Sequence, residues 1–254
     1  MIVCKNDSEL AAMRVSGRIA ARVLQRLAAA VAPGLTTREL DELARELIRA
    51  AGATSAFLGY RGAPGAVPFP GAICVSVNEE VIHGIPGPRR IQAGDLVSID
   101  VGVQFEGFIG DTATTVMVGA VAPEWELLAA TTRHALEAGI AAARAGAHLS
   151  DVSHAVEQAV MAGNCRVVRE FVGHGVGREL HEEPQVPNYG RPGHGPVLKP
   201  GMTFCIEPMV NLGGAAVEIL ADRWTVVTRD RRASAHFEHT IAVGPADAEV
   251  LTRA

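Results

Sequence analysis

The spacing of apolar residues changes from helical to strand-like, and this change occurs twice along the chain. Apolar side chains recur every three or four residues in 8–32 and 36–51, which predicts two helices. Ser8 is the predicted N-cap of the first helix. Thr36 and Glu39 have the spacing of a capping box and predict the start of the second. Strand-like segments follow these helices.

The second half of the chain repeats this order. Pro123 begins a predicted helix that reaches about Arg144, and Ser150 is the predicted cap of a shorter helix. The predicted strands that follow are 166–172, 202–207, 217–219, 224–228 and 236–243. Helices followed by strands predict an α+β fold, with the helices on one face of an antiparallel sheet. Because no polar linker separates the halves, we expect one domain over 1–254, with pseudo-twofold halves of about 1–120 and 121–254.

The most regular stretch is Leu96 to Val118, which predicts a β-hairpin that turns at Glu106-Gly107. A two-residue turn places Gly102 opposite Asp111. Asp100 and Asp111 then become diagonal neighbours on one face, with Cβ atoms about 7–8 Å apart. Gly102 is expected to leave an empty space beside Asp111.

Two like charges on a mostly apolar sheet are costly unless a positive charge lies near them. A pair of divalent metal ions would supply that charge, whereas two solvated acids on an exposed hairpin are the alternative. His174, which lies among glycines at a strand end, and Glu207 and Glu238, which lie in apolar strands, add further candidate ligands. Each acid alone could be an edge-strand charge that faces water, but four such acids favour a metal site.

The donor set restricts the choice of metal. The carboxylates of Asp100, Asp111, Glu207 and Glu238 and the imidazole of His174 are hard to borderline ligands, which suit Mn²⁺, Fe²⁺, Co²⁺ or Zn²⁺. Four negative charges balance two divalent ions. Two ions about 3.5–4 Å apart lower the pKa of a shared water toward about 7, which indicates a hydrolase.

Composition argues against several other classes. The net charge is −5, 4% of the residues are aromatic, and no basic run of five or more residues occurs, so a nucleic-acid groove is not expected. No apolar run is long enough to span a bilayer, and the N-terminus lacks the pattern of a signal peptide. The four cysteines are scattered without a CxxC motif, which is typical of free thiols in a reducing cytoplasm.

Motifs spread from about Asp7 to Val243 resemble the methionine aminopeptidases of the type I (bacterial) class. They are Asn78-Glu79-Glu80-Val81-Ile82-His83-Gly84-Ile85-Pro86, Gly94-Asp95-Leu96-Val97-Ser98-Ile99-Asp100-Val101, Gly110-Asp111-Thr112-Ala113, Gly173-His174-Gly175-Val176-Gly177, His181-Glu182-Glu183-Pro184, Asn188-Tyr189, Leu198-Lys199-Pro200-Gly201-Met202-Thr203-Phe204, Glu207-Pro208-Met209 and Glu238-His239-Thr240. The resemblance implies a pita-bread fold with a curved antiparallel sheet around a dinuclear metal centre. It also implies a metal-dependent aminopeptidase that hydrolytically removes the N-terminal methionine from nascent proteins and peptides with a small second residue.

The resemblance also implies a role for each ligand. Asp100 matches a ligand of one metal ion, and His174 and Glu207 match ligands of the other. Asp111 and Glu238 match the positions that bridge both ions.

Further matches give the catalytic and substrate-binding residues. His83 matches the histidine that contacts the scissile amide nitrogen, and His181 matches the one that polarises the carbonyl group. Glu207 is the expected proton shuttle. The methionine pocket is expected to consist of Phe57, Tyr60, Cys74, Leu180 and Trp224, together with His83 and His181. Leu180 stands where many type I members carry phenylalanine.

Two features lie beside this core of matches. Asn78, Glu80 and Ser234 match a monovalent cation site that the family builds from backbone carbonyl groups. The loop 61–70 is longer than in the simplest members and could cover the pocket or be a neutral insertion, and the neutral interpretation is favoured.

Rival functions are a prolidase or Xaa-Pro aminopeptidase, which would need a large domain before Asp7, and a non-enzymatic binding protein, which would lose ligands. A type II methionine aminopeptidase would need an insertion between His181 and Glu207, where only 25 residues lie. The expected partners are the N-terminal methionine of nascent polypeptides and, transiently, the ribosome. The protein is expected to be a cytoplasmic monomer.

Overall fold

The computed structural model describes residues 1–62 and 65–254, and in these residues two helices and then strands follow one another twice, as predicted. The helices are α1 (Asp7–Ala30), α2 (Thr37–Ala50), α3 (Pro123–Ala142) and α4 (Leu149–Ala162). The strands are β1 (Thr54–Ser55), β2 (Cys74–Val77), β3 (Glu80–Ile82), β4 (Leu96–Phe105), β5 (Phe108–Met117), β6 (Arg166–Val167), β7 (Gly173–Gly175), β8 (Glu182–Val186), β9 (Thr203–Ile206), β10 (Met209–Asn211), β11 (Val217–Ile219), β12 (Val226–Thr228), β13 (Ser234–His236), β14 (Glu238–Val243) and β15 (Ala248–Val250).

Nine of these strands form one antiparallel sheet that joins the two halves of the chain. Its order is β1-β4-β5-β14-β9-β7-β8, with β2 paired to β4 and β15 paired to β14. Two three-stranded sheets, β13-β10-β6 and β11-β12-β3, lie beside it. The α+β class is therefore confirmed, and the central strands β5 and β14 bring the halves into contact.

The predicted hairpin is present in the predicted register. Gly102 pairs with Asp111, and both turn residues have positive φ, 48° at Glu106 and 79° at Gly107, as a type I′ turn requires. The prediction that Gly102 leaves an empty space is wrong. The ring of Phe57 occupies this space. A Cβ atom on Gly102 would lie only 2.4 Å from Phe57 Cε1, so only glycine leaves room for the ring.

The helices cover one face of the large sheet. The apolar face of β4, from Val97 to Val103, packs against Leu24 and Leu27 of α1 and Leu40 of α2. In the second half, Phe204 and Ile206 of β9 lie in one core cluster with the apolar residues of α3 and α4. Burial of each such side chain stabilises the fold by about 1.5–3 kcal/mol. The opposite face of the same strands is therefore left for polar groups.

Two helix caps differ from the prediction. The N-cap of α1 is Asn6, whose Oδ1 accepts the Glu9 N–H at 3.0 Å, while Ser8 lies in the first turn. The N-cap of α4 is His148, and Ser150 instead accepts a backbone N–H with its hydroxyl group. In both cases the helix begins two residues earlier than the serine suggested.

The predicted strand 236–243 is divided. Ser234–His236 belongs to a small sheet, whereas Glu238–Val243 lies in the large sheet. The predicted strand 166–172 is shorter, Arg166–Val167. Within the described ranges, no helix combines the length and the hydropathy that crossing a bilayer requires.

Candidate metal centre

Two neighbouring cross-strand rows on the face opposite the helices carry the candidate ligands. The Asp100 row consists of Cys74, Asp100, Ala113 and Glu238 on β2, β4, β5 and β14. The Asp111 row consists of Gly102, Asp111, Thr240 and Cys205 on β4, β5, β14 and β9. Residues that lie opposite each other, or two apart along a strand, share a face. The rows therefore point their side chains to one side of the sheet.

The two remaining ligands lie at the end of these rows. His174 follows Cys205 across the sheet, because the next residue, Gly175, pairs with Phe204. Glu207 lies two residues after Cys205, directly after β9. All five predicted ligands line the same cavity.

Unpartnered oxygens mark the centre of this cluster. One buried carboxylate oxygen of each acid lacks a hydrogen-bond partner among the described residues: Asp100 Oδ1, Asp111 Oδ1, Glu207 Oε1 and Glu238 Oε1. Buried polar atoms are nearly always hydrogen-bonded, so four orphaned oxygens in one place need an explanation. A divalent cation that these oxygens coordinate would be the missing partner.

The orientation of His174 supports the same conclusion. Its Nδ1–H donates to the Gly175 carbonyl oxygen at 3.0 Å, since a carbonyl can only accept. Nε2 is thus the unprotonated nitrogen, and it lies 3.4 Å from Glu207 Oε1 and 3.9 Å from Asp111 Oδ2. Burial lowers the pKa of His174 to about 3, so the ring is neutral near pH 7. A neutral imidazole held this way is the form that binds metals.

The pKa values of the carboxyl groups are shifted upward, opposite to that of His174. Burial, and then the neighbouring acids, raise the pKa values of Asp100, Glu207 and Glu238 well above their ordinary range. Burial raises the pKa of Asp111 to about 7. These groups ionise readily only when a positive charge is present, and a metal ion that displaces their protons supplies it. The donor set therefore fits a metal centre.

An apolar cavity of about 380 Å³ adjoins the acids. It is lined by all five expected methionine-pocket residues, Phe57, Tyr60, Cys74, Leu180 and Trp224, and by both expected catalytic histidines, His83 and His181. Four apolar lining residues were not expected from the sequence: Phe69, Ile82, Phe171 and Val172. The cavity is thus an apolar pocket that ends at the carboxylates.

The loop 61–70 contributes to this pocket. Phe69 is 3% exposed and packs edge-on against Trp224, with ring centroids 5.3 Å apart. The indole N–H of Trp224 donates to the Val67 carbonyl at 3.1 Å. These contacts favour a pocket cover over a neutral insertion, while Ala63 and Pro64 lie outside the described residues.

The two pocket histidines are neutral and held in place. Burial lowers the pKa of His83 to about 4 and also lowers the pKa of His181. His83 has a positive φ of 58°, an uncommon conformation that often marks functional positions, and its ring meets Trp224 edge-on. The hydroxyl of Tyr60 lies 2.6 Å from His181 Nδ1.

A buried ion pair supports the segment that carries His181. Lys5, which the sequence did not single out, pairs with Glu182, the residue after His181. Glu182 Oε1 also accepts the backbone N–H groups of Arg178 at 2.8 Å and Glu179 at 3.3 Å. The N-terminal segment thereby fixes the turn before His181.

Cys205 is a second residue that the sequence did not single out. Its sulfur and one ligand atom each from Asp111, His174 and Glu238 all lie within 4.8 Å of one another. The period of two that joins Cys205 to Glu207 was the available signal, but a cysteine in an apolar strand is usually a core residue.

At the expected cation site, Ser234 N–H donates to the Asn78 carbonyl at 2.9 Å.

Comparisons with known proteins agree with this geometry. The sequence profile of Metallopeptidase family M24 matches residues 11–245. The chain is 48% identical to Methionine aminopeptidase 1 of Bacillus subtilis (strain 168), over 100% of both chains. It is 47% identical to a methionine aminopeptidase of Clostridium perfringens, over 99% of both.

Solved structures give the same result. Methionine aminopeptidase from Thermotoga maritima superposes with a TM-score of 0.96 at 43% identity, over 100% of both chains. The prolidase from Pyrococcus furiosus, at 21% identity, has a TM-score of 0.78 over 99% of this chain and 66% of that one, and therefore shares the fold alone. The pita-bread fold is thus confirmed, and the chain belongs to the methionine aminopeptidases of metallopeptidase family M24.

Proposed function

We propose that this chain removes N-terminal methionine by metal-dependent hydrolysis at the centre formed by Asp100, Asp111, His174, Glu207 and Glu238. The observation that carries the proposal is the convergence of four orphaned carboxylate oxygens and one neutral imidazole at the end of an apolar pocket. Two divalent ions, Co²⁺, Mn²⁺, Fe²⁺ or Zn²⁺, match the four negative charges.

Each ligand takes the role that its position supports. Asp100 would hold one ion, His174 and Glu207 would hold the other, and Asp111 and Glu238 would bridge both. When bound, the ions lower the pKa of a shared water toward about 7 and attract the substrate's free α-amine. The requirement for that amine restricts the enzyme to N-termini.

Three side chains act on the substrate itself. The proposed role of His181 as donor to the scissile carbonyl oxygen requires a proton on Nε2, and Nδ1 then accepts the hydrogen bond of the Tyr60 hydroxyl at 2.6 Å. Glu207 takes the proton of the attacking water and delivers it to the leaving nitrogen when the C–N bond breaks. His83 contacts the amide nitrogen and stays neutral near pH 7.

The apolar pocket accounts for the proposed recognition of the methionine side chain. An unbranched thioether suits the apolar space that is walled by Phe57, Tyr60, Cys74, Leu180 and Trp224. Peptides with a small second residue are the proposed substrates, as the resemblance to the family implies.

Further proposals concern the surroundings of the site. Residues 1–254 form a single catalytic domain, because the sheet that carries the ligands runs through both halves, about 1–120 and 121–254. Asn78, Glu80 and Ser234 hold a monovalent cation. The enzyme works as a cytoplasmic monomer on nascent polypeptides, with transient ribosome contact and no nucleic-acid-specific binding.

Peptide hydrolysis tests the proposal. The protein should release methionine from Met-Ala-Ser but leave Gly-Pro-X peptides intact, and a chelator should abolish the activity until Mn²⁺ or Co²⁺ is restored. Hydrolysis of Gly-Pro-X alone would indicate a prolidase. Cleavage of neither peptide in the metal-loaded protein would indicate a binding protein.

Two variants test the assigned roles. Glu207→Ala should abolish turnover, and normal kcat in this variant would contradict the proton-shuttle role. His83→Ala should weaken catalysis while the protein keeps its metal content. Loss of both ions from His83→Ala would instead make His83 a ligand.

A further inference from the structure

We propose that Cys205 is an additional metal ligand of this chain, and that its sulfur joins Asp111, His174 and Glu238 in holding a thiophilic divalent ion such as Zn²⁺ or Cd²⁺. This inference rests on the metal centre proposed above. It adds a sulfur ligand to the five oxygen and nitrogen ligands proposed above.

The position of the sulfur carries the inference. Sγ and one ligand atom each from Asp111, His174 and Glu238 all lie within 4.8 Å of one another, and all four residues are buried. An ion at the centre of such a group reaches every donor after small side-chain rotations. No other cysteine among the described residues belongs to such a group.

The pairing of β9 with its neighbouring strands orients Cys205 toward the other three ligand atoms. β9 lies between β14 and β7, so Cys205 has Thr240 on one side and His174 on the other, and it is fully buried. The Thr240 hydroxyl donates to the Asp111 carbonyl at 2.8 Å, so the contact of 3.5 Å between Cys205 and Thr240 has the thiol as donor. The sulfur lone pairs remain available for an ion.

The resulting donor set differs in kind from that of the dinuclear centre. Cys205 would add a sulfur donor to the ion that His174 and Glu207 hold and that Asp111 and Glu238 bridge, and Zn²⁺ accepts sulfur together with nitrogen and oxygen ligands. When the ion binds, the S–H bond breaks, the sulfur keeps the electron pair for the metal, and the proton leaves to solvent. Sulfur ligands favour Zn²⁺ over Mn²⁺, which prefers oxygen. Cys205 therefore makes the centre selective for thiophilic ions.

Spectroscopy of the full chain tests this assignment. Metal-stripped protein is titrated with Cd²⁺, and sulfur-to-cadmium charge transfer is followed in the ultraviolet. In parallel, X-ray absorption at the zinc edge is measured after loading with one equivalent of Zn²⁺. We expect the charge-transfer band and a sulfur neighbour at about 2.3 Å from zinc.

Substitutions identify which thiol is responsible. Cys205→Ser should lose both signals and bind Cd²⁺ and Zn²⁺ at least about tenfold more weakly, while its Mn²⁺ affinity stays unchanged. Cys165→Ser is the matched control, because Cys165 is also buried but lies in the core beside α4. Cys74→Ser tests the other thiol on the ligand face. Both controls should keep the two signals.

The outcomes separate this inference from the proposed function. Zn²⁺-loaded wild-type protein without a sulfur neighbour overturns the ligand role of Cys205, whether or not Cys205→Ser folds. Signals that persist in folded Cys205→Ser overturn it as well. In either case, release of methionine by the Mn²⁺-loaded enzyme leaves the proposed function standing. Wild-type protein that binds none of these ions overturns both.

Discussion

Replacing Lys5 by methionine should destabilise the fold, because Lys5 neutralises the Glu182 carboxylate. The Lys5 side chain is 4% exposed and that of Glu182 is 18% exposed. Removal of one partner from a buried ion pair costs about 3–5 kcal/mol. Glu182 keeps its two backbone N–H donors and some contact with water, so we expect the lower value, about 3 kcal/mol. For a chain of this size, that cost lowers Tm by roughly 6–12 °C.

The same substitution should slow hydrolysis. Glu182 follows His181 directly, so a looser turn displaces the imidazole that we propose as the donor to the scissile carbonyl oxygen. Misplacement of a catalytic group by about 1 Å can cost on the order of a hundredfold in rate. We expect kcat to fall with little change in KM, since this hydrogen bond strengthens in the transition state. Steady-state kinetics on Met-Ala-Ser with saturating Mn²⁺ measures the effect.

The chain provides a matched control. Lys199 is its only other lysine, and its side chain is exposed, so Lys199→Met should change stability by less than about 0.5 kcal/mol. Thermal denaturation of both variants is compared after treatment with chelator. Equal Tm values for the two variants would refute the stabilising role of the pair. A lower Tm with normal kcat in Lys5→Met would refute the positioning of His181.

Three other changes test individual features of the site. Tyr60→Phe should lower kcat by up to about tenfold through loss of the hydrogen bond to His181, and unchanged kinetics would show that Tyr60 does not set the tautomer. Gly102→Ala should displace the Phe57 ring, at a cost of about 1–3 kcal/mol, and raise KM for methionyl peptides; unfolding in urea and kinetics check this. In chelator-treated protein, stability should fall as the pH rises from about 6.5 past 7, because the buried histidines are then neutral in both states while only the folded state still holds a proton on Asp111. Bound metal should remove this pH dependence, and a stability that rises with pH instead would contradict it.

The hairpin was predictable in register because its signals are local. Alternation with a period of two fixes which residues share a face, and Glu106-Gly107 fixes the turn. Nothing local in the sequence shows that Glu238 lies beside Ala113, since those strands are far apart along the chain. The resemblance to a family implied only that Asp111 and Glu238 meet at one metal centre, and the strand pairing itself was not predicted.

The residues that sequence reasoning missed have ambiguous local signals. Phe69 lies in a loop rich in glycine and proline, where an aromatic side chain carries no periodicity. Lys5 precedes the first helix and looks like a solvated terminal charge, although it is buried. The N-cap was misplaced because Asn6 and Ser8 are both good caps, and only the Asn6–Glu9 spacing distinguishes them. The positions of Phe69 and Lys5 are decided by contacts across the fold, whereas the N-cap is decided by a local capping box.

The same strands provide both the stability and the chemistry of this protein. In β9, Phe204 and Ile206 lie in the core cluster that contains the apolar residues of α3 and α4, while Cys205 and the following Glu207 lie on the side of the proposed ligands. Burial of the apolar face offsets the cost of burying acids on the other. The acids of the metal-free fold retain protons at pH values where exposed carboxyl groups have lost them. Metal binding therefore exchanges protons for cations without requiring the sheet to rearrange, so both forms should have the same fold.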